Sequence, residues 1–303
     1  MLAAAGSPAL RAGVERVPLT RSVVRRFVPG DDLAAALGAV RTLGESGLTV
    51  SLDHLGEDTT SVADASATVD SYRALLAALS EAGLTAAAEV SVKLTALGLS
   101  LPDGRRRALD NARLVAAAAR AAGTAVTVDM EDHTVTDAIL ETVLELRQDF
   151  PDTAAVLQAY LRRTAGDCRV FAGPGSRVRL CKGAYDEPAD VAFTTRADVD
   201  RSYVDCLGIL MAGQGRPLVA THDPRLIAIA DALAVRNGRV PADWEYQLLY
   251  GVRPAEQRRL VEHGFAVRVY LPYGDQWWGY LMRRLAERPA NTAFFLRALA
   301  TRG

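Results

Sequence analysis

The feature that most constrains the fold is an eightfold alternation of short apolar runs with longer helical segments, which begins near residue 47. The runs are almost continuously apolar, as expected of parallel strands that helices cover. Eight such strand–helix units in about 250 residues are the number that closes a (β/α)8 TIM-type barrel. The predicted strands are residues 48–53, 88–94, 125–130, 155–160, 177–182, 218–222, 244–250 and 266–271.

An open, doubly wound sheet is the competing arrangement of the same elements. Its dinucleotide-binding fingerprint is absent, because Gly173 and Gly175 form a lone pair without a third glycine at the required spacing. No linker or low-complexity segment divides the sequence. We therefore expect an α/β fold in which residues 1–45 form an N-terminal helical extension and residues 46–303 form the barrel catalytic domain. The last helix is expected to contribute to the active site.

Composition and charge narrow the range of functions and cellular locations that this sequence predicts. A formal net charge of −1 gives no electrostatic basis for binding nucleic acid. Three cysteines without metal-ligand spacing indicate a reducing compartment and no disulfide framework. No apolar run approaches the ~20 residues of a membrane helix, so we expect a cytoplasmic protein. The arginine-rich N-terminal segment would allow peripheral contact with the inner face of the membrane.

Lysine is rare in this sequence. Of the 35 lysine and arginine residues only Lys93 and Lys182 are lysine, and both lie at the ends of apolar, strand-like runs. Lysine differs from arginine as a compact and titratable point charge. Both lysines are therefore candidates for a binding or catalytic site.

Polar and ionisable side chains occur at nearly every predicted strand end. In a closed parallel barrel, the carboxyl ends of the strands meet on one face and build the active site. The regularity of the pattern therefore predicts a ring of site residues. The ring contains Asp53, His54, Lys93, Asp129, Glu131, Asp132, His133, Gln158, Tyr160, Arg179, Lys182, Tyr185, Thr221, His222, Asp223, Glu245, Gln247 and Tyr270.

The segment after the last strand predicts a helix with one polar face. Its members are spaced at i, i+3, i+4 and i+7, and they are Tyr280, Arg283, Arg284 and Glu287. Two guanidiniums beside a phenol and a carboxylate suit the binding of a small planar anion, because arginine presents a rigid fork of donors. The same spacing is also typical of a solvated helix face with an arginine–glutamate pair.

Three chemistries can use this ring of side chains. Metal-dependent hydrolysis would draw on its acids and histidines, although no His-Glu-x-x-His motif is present. A Schiff-base lyase would use Lys93 or Lys182 as a desolvated amine. In the third chemistry, backbone N–H groups of residues 182–184 bind a phosphate-bearing cofactor, while Lys93 and the two helix arginines hold a small carboxylate.

Seven short motifs follow one another along the chain, and they are residues 91–94 (SVKL), 128–131 (VDME), 157–160 (LQAY), 179–185 (RLCKGAY), 220–223 (ATHD), 246–251 (YQLLYG) and 270–287. Taken in order, these motifs resemble those of the proline dehydrogenase family. The resemblance covers about residues 46–299, and the ordered set is far more specific than any single motif. The length is similar to that of the monofunctional, FAD-dependent bacterial type.

The resemblance implies FAD-dependent oxidation of L-proline to Δ1-pyrroline-5-carboxylate by hydride transfer to flavin N5, the first step of proline catabolism. It also implies a quinone electron acceptor and, as a functional partner, Δ1-pyrroline-5-carboxylate dehydrogenase. A flavin-binding redox sensor on the same barrel is the non-enzymatic alternative.

The resemblance also implies roles for individual residues, with no metal. Asp129 and Arg179 would be catalytic. The substrate-binding residues would be Lys93, Tyr185, Leu249, Tyr270, Tyr280, Arg283, Arg284 and Glu287. The FAD-binding residues would be Met130, Gln158, Arg179, Lys182, Gly183, Ala184, Thr221 and His222.

Overall fold

Eight parallel strands close a barrel in the computed structural model, which describes residues 24–56 and 59–280. Each strand pairs with the next along the chain, and the last pairs with the first. The predicted (β/α)8 architecture is confirmed. The strands are β1 Thr49–His54, β2 Ala88–Val92, β3 Val126–Val128, β4 Ala154–Gln158, β5 Arg177–Cys181, β6 Arg216–Ala220, β7 Glu245–Leu249 and β8 Val267–Tyr273.

In the part of the chain that the structure describes, helix α1 lies ahead of β1, and one α-helix follows each of the strands β1 to β7. The helices are α1 Leu33–Glu45, α2 Val62–Glu81, α3 Gly104–Ala121, α4 Thr136–Asp149, α5 Thr164–Phe171, α6 Arg196–Ala212, α7 Pro224–Arg236 and α8 Pro254–Glu262. Local sequence sets several of their starts. Ser61 and Asp64 form a reciprocal capping box at α2, and the Asp223 side chain caps α7 just before Pro224.

Several predicted strands, among them those of β2 and β3, extend further than the observed ones. Strand β2 ends at Val92 and β3 ends at Val128, two residues before each predicted end. The Asp129 N–H still donates to the Val92 carbonyl at 2.8 Å, which keeps this residue at the barrel rim. Lys93 and Asp129 therefore lie just beyond the ladder, where their side chains can take part in a site.

The interior of the barrel is polar. Successive strand residues point to opposite faces, so on β1 Val50 and Leu52 face the helices while Ser51 and Asp53 face inward. The Arg179 side chain of β5 confirms this arrangement, because it bonds to Ser51, which lies on a strand that does not neighbour β5. The apolar core lies between the strands and the surrounding helices.

The chain ahead of β1 contacts the barrel in two places. Helix α1 contributes Ala36 and Val40 to the same apolar core as the strands. A second apolar cluster joins the chain before α1 to the segment after β8, and it consists of Val24, Phe27, Val28, Leu55, Trp277, Trp278 and Tyr280. The division of the chain at residues 45 and 46 stays a prediction. Within the described ranges, no helix is both long enough and apolar enough to cross a membrane.

Candidate active site

Paired charges fill the half of the barrel interior near the amino ends of the strands, which we call the lower layer. Glu89 lies 2.5 Å from Arg177 Nη2 and accepts a hydrogen bond from Thr127 at 2.8 Å. Glu245 pairs with Arg268 at 2.7 Å. Burial alone would raise the pKa of Glu89, but the charges of Arg268 and Arg177 outweigh it and lower the pKa to about 2. The lower layer is therefore an ionised network.

Arg179 of β5 lies above the lower layer and is only 5% exposed. Its Nη1 donates to Asp129 Oδ1 at 2.6 Å and to Ser91 Oγ at 3.1 Å. Its Nη2 donates to Ser51 Oγ at 3.0 Å, and its Nε donates to Gln247 Oε1. Side chains from β1, β2 and β7 and from the end of β3 thus fix one orientation of the guanidinium.

The Tyr270 phenol connects two carboxyl groups. Its oxygen lies 2.7 Å from Asp53 Oδ2 and 2.8 Å from Asp129 Oδ2. Lys93 Nζ donates to the same Asp53 oxygen at 2.8 Å. The Arg179 guanidinium carbon lies 5.3 Å from the centre of the Tyr270 ring. We call Asp53, Lys93, Asp129, Arg179 and Tyr270 the upper cluster.

Burial shifts the acidity of the upper cluster. Burial raises the pKa of Asp53; the charge of Lys93 opposes this increase and the charge of Asp129 adds to it. Burial also raises the pKa of Tyr270 far above its usual value, helped by the two neighbouring acids. The phenol therefore stays protonated, so the upper cluster can hold protons and donate hydrogen bonds.

Gln158 at the end of β4 uses one end of its amide within the protein. Its Nε2 donates to the Glu131 carbonyl at 3.0 Å, whereas its buried Oε1 has no hydrogen-bond partner among the described residues. An unpaired buried acceptor is costly unless a ligand donates to it. Gln158 Oε1 is therefore suited to accept a hydrogen bond from a ligand ring that carries an N–H group, as a flavin does. Met130, another predicted FAD contact, packs into the apolar core.

The loop after β5 approaches Tyr160 closely. Gly183 has a φ of +114°, and a Cβ at this position would lie 2.3 Å from the Tyr160 ring, so the loop requires glycine. Lys182 pairs with Asp200 and, at 3.5 Å, with Asp223, so its charge is already balanced. In the same loop, Ala184 is exposed and Tyr185 is half-buried. This loop would therefore meet a diphosphate through its backbone rather than through an unpaired lysine.

The ends of β6 and β7 are joined by His222. Its Nε2 accepts a hydrogen bond from the Leu249 N–H at 2.9 Å, which places the proton of the neutral ring on Nδ1. Buried Thr221 accepts from the Asp223 N–H at 3.1 Å. The hydrogen bond from the Arg225 side chain lowers the pKa of Asp223, so this acid stays ionised. Thr221, His222 and Leu249 thus lie together at one edge of the barrel mouth.

The predicted anion-binding helix face lies mostly outside the described residues. Tyr280 is buried within the second apolar cluster beside Trp277 and Trp278. Arg283, Arg284 and Glu287 lie beyond the described ranges, so their contacts with a substrate carboxylate stay predictions.

Several polar partners in the site had no role in the sequence analysis. Gln247 stood in the predicted ring without a function, Asp53 was assigned only to the metal-hydrolysis alternative, and Ser51 was not part of the ring. The available signal was spacing: Ser51 and Asp53 on β1, like Ser91 and Lys93 on β2, are two residues apart and so share one strand face. Among the described residues, no group of three or more histidine, cysteine, aspartate and glutamate side chains could hold a metal ion.

Comparison with known proteins gives one consistent family. The family model described as proline dehydrogenase matches residues 36–297. Proline dehydrogenase 1 of Bacillus subtilis (strain 168) is 37% identical over 280 residues, which cover 92% of this chain and 91% of that protein. Proline dehydrogenase of Deinococcus radiodurans is 37% identical over 281 residues, which cover 92% of this chain and 90% of that protein.

A solved structure shows the same barrel within a longer chain. The crystal structure of proline utilization A (PutA) from Bdellovibrio bacteriovorus inactivated by N-propargylglycine has a TM-score of 0.82 and 26% sequence identity to this chain. The match covers 88% of this chain and 33% of that one, so this chain spans about a third of the PutA protein.

Proposed function

The chain belongs to the proline dehydrogenase family, and we therefore propose that it oxidises L-proline to Δ1-pyrroline-5-carboxylate with FAD as its cofactor, as the first step of proline catabolism. The observation that carries the proposal is the upper cluster. It places a locked arginine, a lysine, a protonated phenol and two carboxyl groups at the carboxyl ends of the strands, where barrel enzymes bind substrates.

Positive charge would hold the substrate. Lys93, together with Arg283 and Arg284, would bind the proline carboxylate, and Glu287 would orient an arginine by ion pairing. Apolar and aromatic packing is the expected way to enclose a pyrrolidine ring. The side chains that would form this wall are Tyr185, Leu249, Tyr270 and Tyr280.

The orphaned acceptor of Gln158 supports FAD as the cofactor. Met130, Lys182, Gly183, Ala184, Thr221 and His222 would complete the FAD site. When bound, FAD would supply the acceptor for the hydride that leaves the proline ring carbon next to nitrogen. Arg179 would stabilise negative charge on the reduced ring, because its guanidinium is fixed before reaction and shielded from water. Asp129 would hold Arg179 and Tyr270 in position.

The contacts of both lysines favour flavin-dependent oxidation over a Schiff-base lyase. Lys93 pairs with Asp53 at 2.8 Å, and Lys182 pairs with Asp200 and Asp223. Carboxyl groups therefore engage both amines, whereas a Schiff-base lysine must be available to attack a substrate carbonyl.

We also propose an electron acceptor, a location in the cell and a fate for the product. A quinone would take the electrons from the reduced enzyme, which would work in the cytoplasm with peripheral contact to the inner face of the membrane. Δ1-Pyrroline-5-carboxylate dehydrogenase would consume the product.

The decisive experiment is a visible spectrum of the purified protein, followed by anaerobic addition of L-proline. We expect a flavin spectrum that bleaches with proline. A flavin spectrum unchanged by proline would favour the redox sensor, and no flavin after reconstitution with FAD would return the Schiff-base lyase to consideration.

A further inference from the structure

The hydrogen bonds of Tyr270 require more protons than the phenol supplies. Its oxygen lies 2.7 Å from one Asp53 oxygen and 2.8 Å from one Asp129 oxygen, and both distances are those of O–H···O hydrogen bonds. A phenol has one proton, and an ionised carboxylate has none to donate. Two hydrogen bonds need two protons. One of the two carboxyl groups must therefore carry a proton.

The surroundings of the two acids differ strongly. Asp129 Oδ1 accepts from the Arg179 guanidinium at 2.6 Å and from the Ser91 hydroxyl at 2.8 Å, so two donors, one of them charged, engage this oxygen. Asp53 is 1% exposed; its Oδ2 accepts from Lys93 Nζ at 2.8 Å, but its Oδ1 has no hydrogen-bond partner among the described residues. An ionised carboxylate with one unsolvated oxygen is costly, so the proton belongs on Asp53.

We propose that Asp53 is a neutral carboxylic acid in the working enzyme and acts as a positioning residue for proline oxidation. This inference rests on the proposed function. The acid donates to Tyr270 and accepts from Lys93, which fixes two groups that would contact the substrate.

The proton on Asp53 also sets the charge of the site. Lys93 and Arg179 contribute two positive charges and Asp129 one negative charge, so the upper cluster carries a net charge of +1 while Asp53 is neutral. Loss of the proton makes this charge zero. The neutral acid therefore keeps the positive charge that attracts the proline carboxylate.

Other titratable and charged groups that face Asp53 come from every element around it. They are His54 on β1, Tyr72 on α2, Lys93 after β2, Asp129 after β3, and Tyr270 and Tyr273 on β8. Arg179 on β5 contacts Asp129, and Asp275 after β8 interacts with His54. Burial lowers the pKa of His54 and raises the pKa values of Tyr72 and Tyr273, which favours the neutral form of all three. Loss of the Asp53 proton is therefore the charge change that the proposal assigns to rising pH.

Infrared spectroscopy of the holoenzyme without proline tests the proton directly. Protein labelled with ¹³C-aspartate should show a carboxylic-acid C=O band that shifts with the label and disappears as the pH rises. The band should be lost in Asp53→Asn. It should remain in Glu131→Gln, the matched control, because burial also raises the pKa of Glu131. Absence of a label-sensitive acid band in the wild-type protein would overturn the proposal without relying on any variant.

The functional consequence is measured from the Michaelis constant for proline against pH. In the wild-type enzyme the KM should rise by up to about tenfold per pH unit above the pKa of Asp53, because each unit reduces the protonated fraction tenfold. Asp53→Asn should remove this rise relative to the wild type, whatever its kcat. A rise of equal steepness in Asp53→Asn overturns the positioning role. A wild-type protein that shows the acid band but does not oxidise proline would refute the proposed function and leave the assignment of the proton intact.

Discussion

Gln247 joins the two polar layers of the barrel through one amide. Its Nε2 donates to Glu245 Oε1 at 2.8 Å, so its Oε1 faces the Arg179 Nε. Glu245 is in turn held by Arg268. Through Gln247, the orientation of Arg179 in the upper cluster thus depends on Glu245, a residue of the lower layer with no proposed contact to the substrate.

Replacing Gln247 with leucine tests this dependence. The change leaves the Arg179 Nε buried without an acceptor, which costs about 1–3 kcal/mol of unfolding free energy. We expect kcat to fall about tenfold or more with a smaller change in KM, since a displaced guanidinium stabilises the transition state less well. Steady-state kinetics and urea unfolding measure the two effects.

Gln257→Leu is the matched control for that variant. Gln257 is equally buried but donates only to the carbonyls of Leu249 and Val252. It should lose stability with little change in kcat. Equal losses of kcat in the two variants would show that Gln247 contributes only to folding.

The carboxylate clamp makes a separate prediction at Arg284. Arg284→Lys keeps the charge but loses the two-pronged donor geometry, so the KM for proline should rise strongly, by about tenfold or more. Arg258→Lys, on an exposed position of α8, is the control. An unchanged KM in Arg284→Lys would remove this residue from the substrate site.

The loop between β5 and α6 depends on a single glycine. Gly183→Ala forces a side chain into the left-handed region and against the Tyr160 ring, 2.3 Å from the new Cβ. We expect the loop to shift, with a loss of more than about 1 kcal/mol of stability and weaker retention of FAD on gel filtration.

Gly208 in α6 provides the contrast. A Cβ there meets nothing within 4 Å, so Gly208→Ala should stabilise the helix by about 0.5–1 kcal/mol and leave FAD retention unchanged. If Gly183→Ala kept its FAD as Gly208→Ala does, the loop would not be part of the cofactor site.

Sequence periodicity predicted the elements better than it predicted the site. The order of the strands and the helix starts at Ser61 and Pro224 follow from local signals. The pairing of Arg179 with Ser51 joins positions 128 residues apart, and closure of the barrel brings them together. Ser51 is small and lies within an apolar run, so nothing in its neighbourhood marks it as a partner of a buried charge.

Across the whole molecule, the lower layer replaces the packed aliphatic interior usual for such barrels with ion pairs. Glu89 has a pKa of about 2 in the folded protein, below its ordinary value of 4.5. A depressed folded pKa stabilises the fold above the unfolded value, and this contribution is lost as the pH falls from about 4.5 to about 2. Asp53 has the opposite effect on the pH dependence of stability. Its pKa is raised in the folded protein, so its contribution to stability is lost as the pH rises.

Glu89→Gln should therefore alter both the size and the pH dependence of stability. At neutral pH the unfolding free energy should fall by about 3–5 kcal/mol, because the largely buried Arg177 loses its carboxylate partner and Arg268 keeps Glu245 but loses Glu89. Between about pH 4.5 and pH 2 the variant should lose less stability than the wild type, since it has no Glu89 to protonate. Urea unfolding across this range measures both effects.

Glu141→Gln, which removes an exposed partner of Arg105 at 3.1 Å, should change the unfolding free energy by no more than about 1 kcal/mol. If the unfolding free energy of Glu89→Gln depended on pH as that of the wild type does, other carboxylates would cause the acid sensitivity. The lower layer would then stabilise the fold through packing alone.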